Sequence, residues 1–274
     1  MNGARVEFIA LASREPIPLA QGALLIAKEE YPSLDVAHYI ERLAELARGA
    51  EAMVRRGANT VERVQLLSEF LFEHQGFSGN HENFADPHNS FLNDVLERRL
   101  GIPITLSVIY LEVGRRLGLN LYGVSFPGHF LVKAVDERGE LIIDPYNAGM
   151  ILSIEDIRAR LRQIYEQPVE LRPVMLKAVG ARQILARILR NLKGIYIGAS
   201  DWAKALSALD RILLLEPRAP DELLERAGLY DRLECFQAAL DDLQSFLSIA
   251  PDHPSADEAR EGVLRLMRQV ALIN

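Results

Sequence analysis

The sequence predicts an α+β protein, with helices plus a small antiparallel sheet over residues 1–175, followed by an all-α repeat domain over residues 176–274. Two observations predict it. Apolar residues follow helical spacing as far as Gly118, then alternate as in strands from Leu121 to Asp144. Beyond Leu176 the chain repeats itself at an interval of 34, so that Gly194 recurs as Gly228 and Tyr196 as Tyr230. The length of 274 residues exceeds the roughly 100–200 of one typical domain, which fits two.

The first elements are helices. Residues 21–30 carry Ala23, Leu24, Leu25, Ile26 and Ala27, and Tyr31-Pro32 ends them, because the residue before Pro is pushed out of the helical region. Ser33 or Asp35 caps the next helix, whose Ile40, Leu43, Ala44, Leu46 and Ala47 form a stripe up to Gly49. A third is expected over 60–74, with Val61, Val64, Leu67, Leu71 and Phe72 buried. A long polar loop from Gly76 to His88 follows, with no hydrophobic period and many hydrogen-bonding side chains; such loops inside compact domains are often functional. Its Asn80, His81, Asp86 and His88, with Asn89 and Ser90 just beyond and Thr105 in the next helix, are the candidate ligand-binding residues. No paired-Cys or paired-His helical spacing accompanies these histidines, so His81 and His88 read as turn residues, and no metal or cofactor is expected.

A short helix to Arg99 is then expected, with Phe91, Leu92, Val95 and Leu96 apolar, ended by Gly101. Another starts near Pro103 or Thr105, since Pro fits the first helical position, and buries Leu106, Ile109, Val113 and Leu117. After Leu121-Tyr122-Gly123-Val124 come two runs, 129–135 and 140–144, joined by Asp136-Glu137-Arg138-Gly139 as a hairpin turn. With Glu137-Arg138 as a two-residue loop, Leu131 lies opposite Asp144, and His129 and Asp144 share a face as diagonal neighbours. Lys133 and Glu140 lie on that face too. Phe130, Val132, Ala134, Leu141 and Ile143 make the other, the expected core side. Between Ile164 and Val174, Glu166, Gln167, Pro168 and Pro173 break the helical pattern and mark the expected junction.

The repeat aligns Trp202 with Phe236, Ala205 with Ala239, Leu206 with Leu240 and Pro217 with Pro251. Small residues where paired helices cross, with Pro past the second helix, are the tetratricopeptide pattern. Two repeats fall short of the three or so needed alone, so flanking helices over 176–192 and 255–272 are expected to cap the array. The aromatic positions are read as inter-helix packing. A protein or peptide partner of this domain is expected, and its oligomeric state is not fixed by the sequence.

Composition narrows the function. The net charge of −7 with no basic run argues against nucleic acid. The single Cys235 excludes an internal disulfide framework, fits a reducing compartment, and is expected to be a buried or half-buried free thiol. No run approaches the roughly 18 apolar residues of a membrane span. The apolar stretch Val6 to Ala12 is too short for a signal peptide and contains Glu7, so no membrane association is expected and a cytoplasmic location is.

Five strings carry a family resemblance: Gly76-Phe77-Ser78-Gly79-Asn80, Asn89-Ser90-Phe91-Leu92, the run from Val95 to Pro103, Phe126-Pro127-Gly128-His129-Phe130-Leu131-Val132 and Ile143-Asp144-Pro145-Tyr146-Asn147. With the repeats behind them, they resemble the bacterial SirB-one family, which has a papain/transglutaminase-like core followed by tetratricopeptide repeats. The resemblance implies that fold and no established activity. Enzymes with this core use a Cys at a helix start, a His on a strand and an Asp on the next. His129 and Asp144 occupy the last two places, while the nucleophile position falls near Pro103, in Gly101-Ile102-Pro103. Two readings follow. One is a pseudo-enzyme acting as a protein-interaction or regulatory protein, with His129 and Asp144 a relic or a structural pair. The other is a hydrolase or acyltransferase on amide or ester bonds, using His129 and Asp144 with water or a hydroxyl of Thr105, Ser107 or Ser90.

Overall fold

A computed structural model describes residues 3–165 and 169–273, and these fall into two compact units, 1–188 and 189–274. Glu166, Gln167 and Pro168, part of the expected junction, lie outside the described residues. The units divide within a helix, rather than at the 175/176 junction read from the sequence.

In the first unit, helices α1 (Gly3–Ala12), α2 (Leu19–Lys28), α3 (Val36–Val54) and α4 (Thr60–Ser68) precede α5 (Leu92–Arg98) and α6 (Pro103–Arg116). Asp35 caps α3 by accepting from His38 N at 3.1 Å, and Asn59 caps α4 by accepting from Glu62 N at 3.0 Å. The expected helix over 60–74 does not stay α-helical: it widens to a π-helix at Glu69–His74. At the joint, the Ser68 hydroxyl donates back to Val64 O at 3.0 Å and lies 3.0 Å from the Tyr110 hydroxyl, a local competition that perturbs the ladder. Val61, in the first turn of α4, is exposed, against expectation, whereas Val64 and Leu67 are buried.

Pro103 is the first residue of α6, as the spacing predicted. The helix carries more than one buried stripe, however. Every residue from Pro103 to Leu111 is buried, because α3, α5, the strands Leu121–Val124 and Leu131–Asp136 and the turn Pro145–Asn147 all pack on it. It is the axis of the unit.

The sheet runs in the order β6-β5-β4-β3-β7, every neighbour antiparallel, from β3 (Leu121–Val124), β4 (Leu131–Asp136), β5 (Gly139–Asp144), β6 (Met150–Leu152) and β7 (Ala178–Val179). The hairpin has the register the two-residue loop demands, with Asp136 opposite Gly139 and Val132 opposite Ile143. One expectation fails: the face that carries His129 and Asp144 is covered as well. Helix α7 (Ile154–Tyr165), where no element was expected, brings Ile157 and Leu161 onto Leu131 and Ile142 in a second core with Val124 and Phe126. Even Lys133 is buried there, paired to Glu140 at 2.6 Å.

The loop from Gly76 is also less irregular than expected. Ser78–Gly79 (β1) pairs in parallel with Leu100–Gly101 (β2), so its start is anchored beside α6.

Helix α8 (Ala181–Gly198) starts later than the expected 176, because Pro173–Leu176 forms a 3-10 turn and Ala178–Val179 is taken by the sheet, with Val179 opposite Gly123. Its first turns belong to the first unit. Ile184 and Leu185 are buried, and Leu185 Cδ1 would be 2.4 Å from a Cβ on Gly22, an approach only glycine allows.

The second unit holds the rest of α8 with α9 (Trp202–Leu215), α10 (Pro220–Arg232), α11 (Phe236–Ile249) and α12 (Ala256–Ile273). Successive helices pack as antiparallel neighbours around Leu223, Ala227, Ala239, Leu243, Phe246 and Leu266. Arg226 ties three of them, giving Asp242 two hydrogen bonds at 2.8 and 2.7 Å and Asp210 one at 2.8 Å. These carboxylates push the guanidinium's pKa up against its burial. Among the described residues, no helix is long and apolar enough to cross a membrane.

Cys235 is exposed, not half-buried, because it occupies the N-cap of α11 at the tip of the α10–α11 turn. Its thiol is therefore expected to react with a disulfide reagent in the native protein as fast as in denaturant. Since Ser is a favoured N-cap, Cys235→Ser should leave stability unchanged or raise it by up to about 1 kcal/mol. A thiol that reacts only after unfolding would contradict this placement.

Candidate functional site

The site is built where the β4–β5 hairpin ends. The turn Phe126–His129 is closed by His129 N donating to Phe126 O at 3.1 Å, and it delivers the imidazole to the end of β5. His129 Nε2 lies 2.9 Å from Asp144 Oδ1, the diagonal pairing that the hairpin register requires. The other ring nitrogen, Nδ1, is left for whatever lies beyond.

Asp144 is fully buried and has more partners than His129. Its Oδ1 accepts from the backbone N–H of Tyr146 at 3.1 Å and of Asn147 at 3.4 Å, and its Oδ2 from the Asn147 amide at 2.7 Å. Arg160, reaching from α7, forms an ion pair with the same Oδ2. Burial alone would raise this carboxyl. The hydrogen bond and charge of His129, the Asn147 amide and Arg160 outweigh it and hold the group below the ordinary carboxylate range.

Arg160 is the residue that sequence reasoning missed. Arg158, Arg160 and Arg162 look alike in the sequence, and only the helix docking that buries Ile157 and Leu161 turns Arg160 toward Asp144.

Tyr146 covers the pair from the loop side. Its ring centroid is 5.9 Å from that of His129, 4.5 Å from His81 and 6.3 Å from Phe84, and its hydroxyl donates to Asn80 O at 3.1 Å. Gly79 allows this, since a Cβ there would be 2.5 Å from the ring. Burial, with the Asp144 charge behind it, pushes the Tyr146 phenol's pKa up. The His129 side chain keeps 13% of its surface exposed.

The other ligand-binding candidates, Ser90 apart, are engaged within the chain. Asn80 and Asn89 are buried, with Asn80 Nδ2 donating to Asn89 Oδ1 at 3.1 Å; Asn89 in turn donates to Asn83 O at 2.8 Å. Thr105 Oγ1 donates to Asn89 O at 2.7 Å and accepts from Ile102 N at 3.1 Å, which joins the loop to the start of α6. Asp86 caps His88 N at 3.0 Å and pairs with Arg98 at 2.9 Å. His88 Nδ1 lies 2.8 Å from Asp94 and 3.0 Å from the Tyr31 hydroxyl, away from His81 and its Tyr146 neighbour. Ser90 is buried with its hydroxyl unpartnered.

Pro103, where the resemblance puts the nucleophile, is the buried first residue of α6 and carries neither thiol nor hydroxyl. The nearby hydroxyls are committed or sealed: Thr105 to Asn89 O, Ser107 to Pro103 O at 2.7 Å, and Ser90 inside the core. Among the described residues, none is hydrogen-bonded to His129. The hairpin thus brings a His and an Asp together at 2.9 Å, as the resemblance implied for the last two places of such a core.

A helical axis ending at this hairpin, followed by paired helices in repeat, defines a transglutaminase-like domain with tetratricopeptide repeats. Family models agree: transglutaminase-like superfamily over residues 37–190 and tetratricopeptide repeat over 192–263. The chain belongs to the transglutaminase-like superfamily and, within it, to the family of the UPF0162 and SirB1 proteins. A UPF0162 protein of Xylella fastidiosa strain Temecula1 is 39% identical over 264 residues, covering 95% of this chain and 94% of that one. One from Pseudomonas aeruginosa is 34% identical over 240 residues, covering 88% and 87%. Protein SirB1 of Salmonella typhimurium is 26% identical over 247 residues, covering 89% and 90%. A crystal structure of menin is similar at a TM-score of 0.45 and 12% identity, covering 94% of this chain and 73% of that one, too loose a likeness to bear on function.

Proposed function

We propose that this chain is a non-catalytic, cytoplasmic interaction or regulatory protein: a transglutaminase-like domain kept as a structural platform, with a repeat domain that binds a protein or peptide partner. The observation that carries the reading is Pro103 at the first position of α6, where the attacking thiol of such a core would stand. Asp144 supports it, because its second oxygen is held by Arg160 and Asn147, so the carboxylate does more to fasten α7 and the 145–147 turn than to orient His129. The chain's one thiol, Cys235, lies in the other unit.

A second reading rests on the intact His129–Asp144 bond: a hydrolase or acyltransferase in which His129 activates water or a hydroxyl. The experiment that separates them measures amine incorporation into casein, anilide hydrolysis and aryl-ester hydrolysis by the full chain and by His129→Ala. The expected result is equal, background rates for both. Turnover above background that His129→Ala abolishes without a change in fold would replace the first reading with the second.

A further inference from the structure

A stacked array of helix pairs ends on a helix with a neighbour on one side only, so the outer side of that last helix should be polar. The inner side of α12 fits its place: Ala259 and Leu266 are buried against α11, with Val263 and Val270 partly buried beside them. The outer side does not fit. Leu264 keeps 60% of its surface exposed, Met267 51% and Leu272 80%. Single exposed apolar residues are ordinary, but Leu264 and Met267 are a turn apart on one helix and continue into the exposed Ala271, which makes a strip.

The charges beside this strip say what it fits. Arg260 pairs with Asp257 at 2.5 Å, and Arg265 with Asp231 at 2.6 Å, so both are satisfied within the chain. Glu261 and Arg268 are exposed and make no hydrogen bond or ion pair among the described residues. They stand about two helical turns apart, so they lie along the same edge of the strip, acid toward the start of the helix and base toward its end, with Leu264 between them. Such an edge complements itself when a second copy of the helix runs alongside in the opposite direction. With a two-fold axis near Leu264, the two copies of Leu264 meet, and Glu261 of each copy falls beside Arg268 of the other. Parallel pairing would set like charge against like.

We propose that α12 is a self-association surface, through which two copies of this chain pair as antiparallel helices centred on Leu264, with two symmetry-related ion pairs between Glu261 and Arg268. The pairing stands apart from the interaction reading above and from any role of His129. A lipid surface fits less well, because it asks for basic residues at both edges of the apolar strip and Glu261 occupies one of those places. One helix against one helix lies at or below the low end of the roughly 1,200–2,000 Å² of a standard interface, so the dimer is reversible and depends on concentration.

The test is sedimentation velocity of the full chain over a dilution series reaching down from about 100 μM. Wild type is expected to pass from dimer to monomer on dilution. Leu264→Glu should weaken the dimer by about tenfold or more, since it buries an unpaired charge twice over. Glu261→Arg and Arg268→Glu should each weaken it alone, by setting like charges together, and an equimolar mixture of the two should restore it, because every Arg then faces a Glu. These positions are exposed, so each variant should keep the circular dichroism spectrum of wild type. Wild type that stays monomeric at about 100 μM, a dimer indifferent to Leu264→Glu, or a mixture no tighter than its components would each overturn the proposal. So would monomeric wild type that co-sediments with phosphatidylglycerol and phosphatidylethanolamine vesicles and loses this with Leu264→Glu, which would assign the strip to lipid.

Discussion

Asp144→Ala is expected to destabilise the N-terminal unit by about 3–5 kcal/mol, the range for removing one partner from a buried ion pair. The carboxylate gathers His129, Arg160, the Asn147 amide and two backbone N–H groups, and its loss leaves all of them without their acceptor. Arg160 keeps 23% of its side chain exposed and can turn to water, which favours the lower end of that range. For a unit of this size the loss corresponds to a fall of about 10 °C in melting temperature by circular dichroism. His129→Ala, which removes only one of those donors, should cost less, about 1–3 kcal/mol. The order of the two is the discriminating result: in a catalytic pair the Asp exists to serve the His, whereas here the Asp is the centre. The pH dependence follows from the same carboxyl. Its folded pKa lies below the unfolded value of about 3.9, so its contribution is fully present above that value and is lost as pH falls through the folded pKa. Wild type and Asp144→Ala should therefore differ by a constant amount on the carboxyl's account above pH 5 and converge below about pH 4. A cost under about 1 kcal/mol, or a difference that widens in acid, would remove Asp144 from the centre of the fold.

The hairpin was legible in the sequence because its register is a local matter: Glu137-Arg138 closes the turn, and the alternation on either side then fixes His129 against Asp144. The helix start at Pro103 was legible for the same kind of reason. Arg160 was not, since its meeting with Asp144 depends on how α7 docks, and the helix is held by Ile157 and Leu161 rather than by any pattern shared with β5. The polar loop misled in the opposite direction. Asn80, Asn89 and Thr105 have the side chains of a binding site, and in the structure Asn80 spends its amide on Asn89 Oδ1, Asn89 on Asn83 O, and Thr105 its hydroxyl on Asn89 O and Ile102 N. Composition shows that such groups need partners; it does not show whether the partners come from the chain or from a ligand. The start of α8 slipped because two residues, Ala178 and Val179, were claimed by a strand across the sheet.

Phe246→Ala is expected to cost the second unit about 3–5 kcal/mol, the usual range for a buried Phe. Phe246 is fully buried in α11, in the core shared with Leu223, Leu243 and Leu266, and its ring meets His253 edge-on at 5.3 Å. An array this short has few interfaces, and each repeat relies on its neighbour's, so the loss of one anchor is not diluted. The chain's single Trp makes the effect readable. Trp202 opens α9, inside the second unit, so its fluorescence reports that unit, while circular dichroism reports both. Phe246→Ala should move the Trp202 transition far down in denaturant while a second, later transition persists by circular dichroism. Asp144→Ala should do the reverse. Should both variants shift both signals together, α8, whose residues 181–188 belong to one unit and 189–198 to the other, must be transmitting the loss along its own hydrogen-bonded turns.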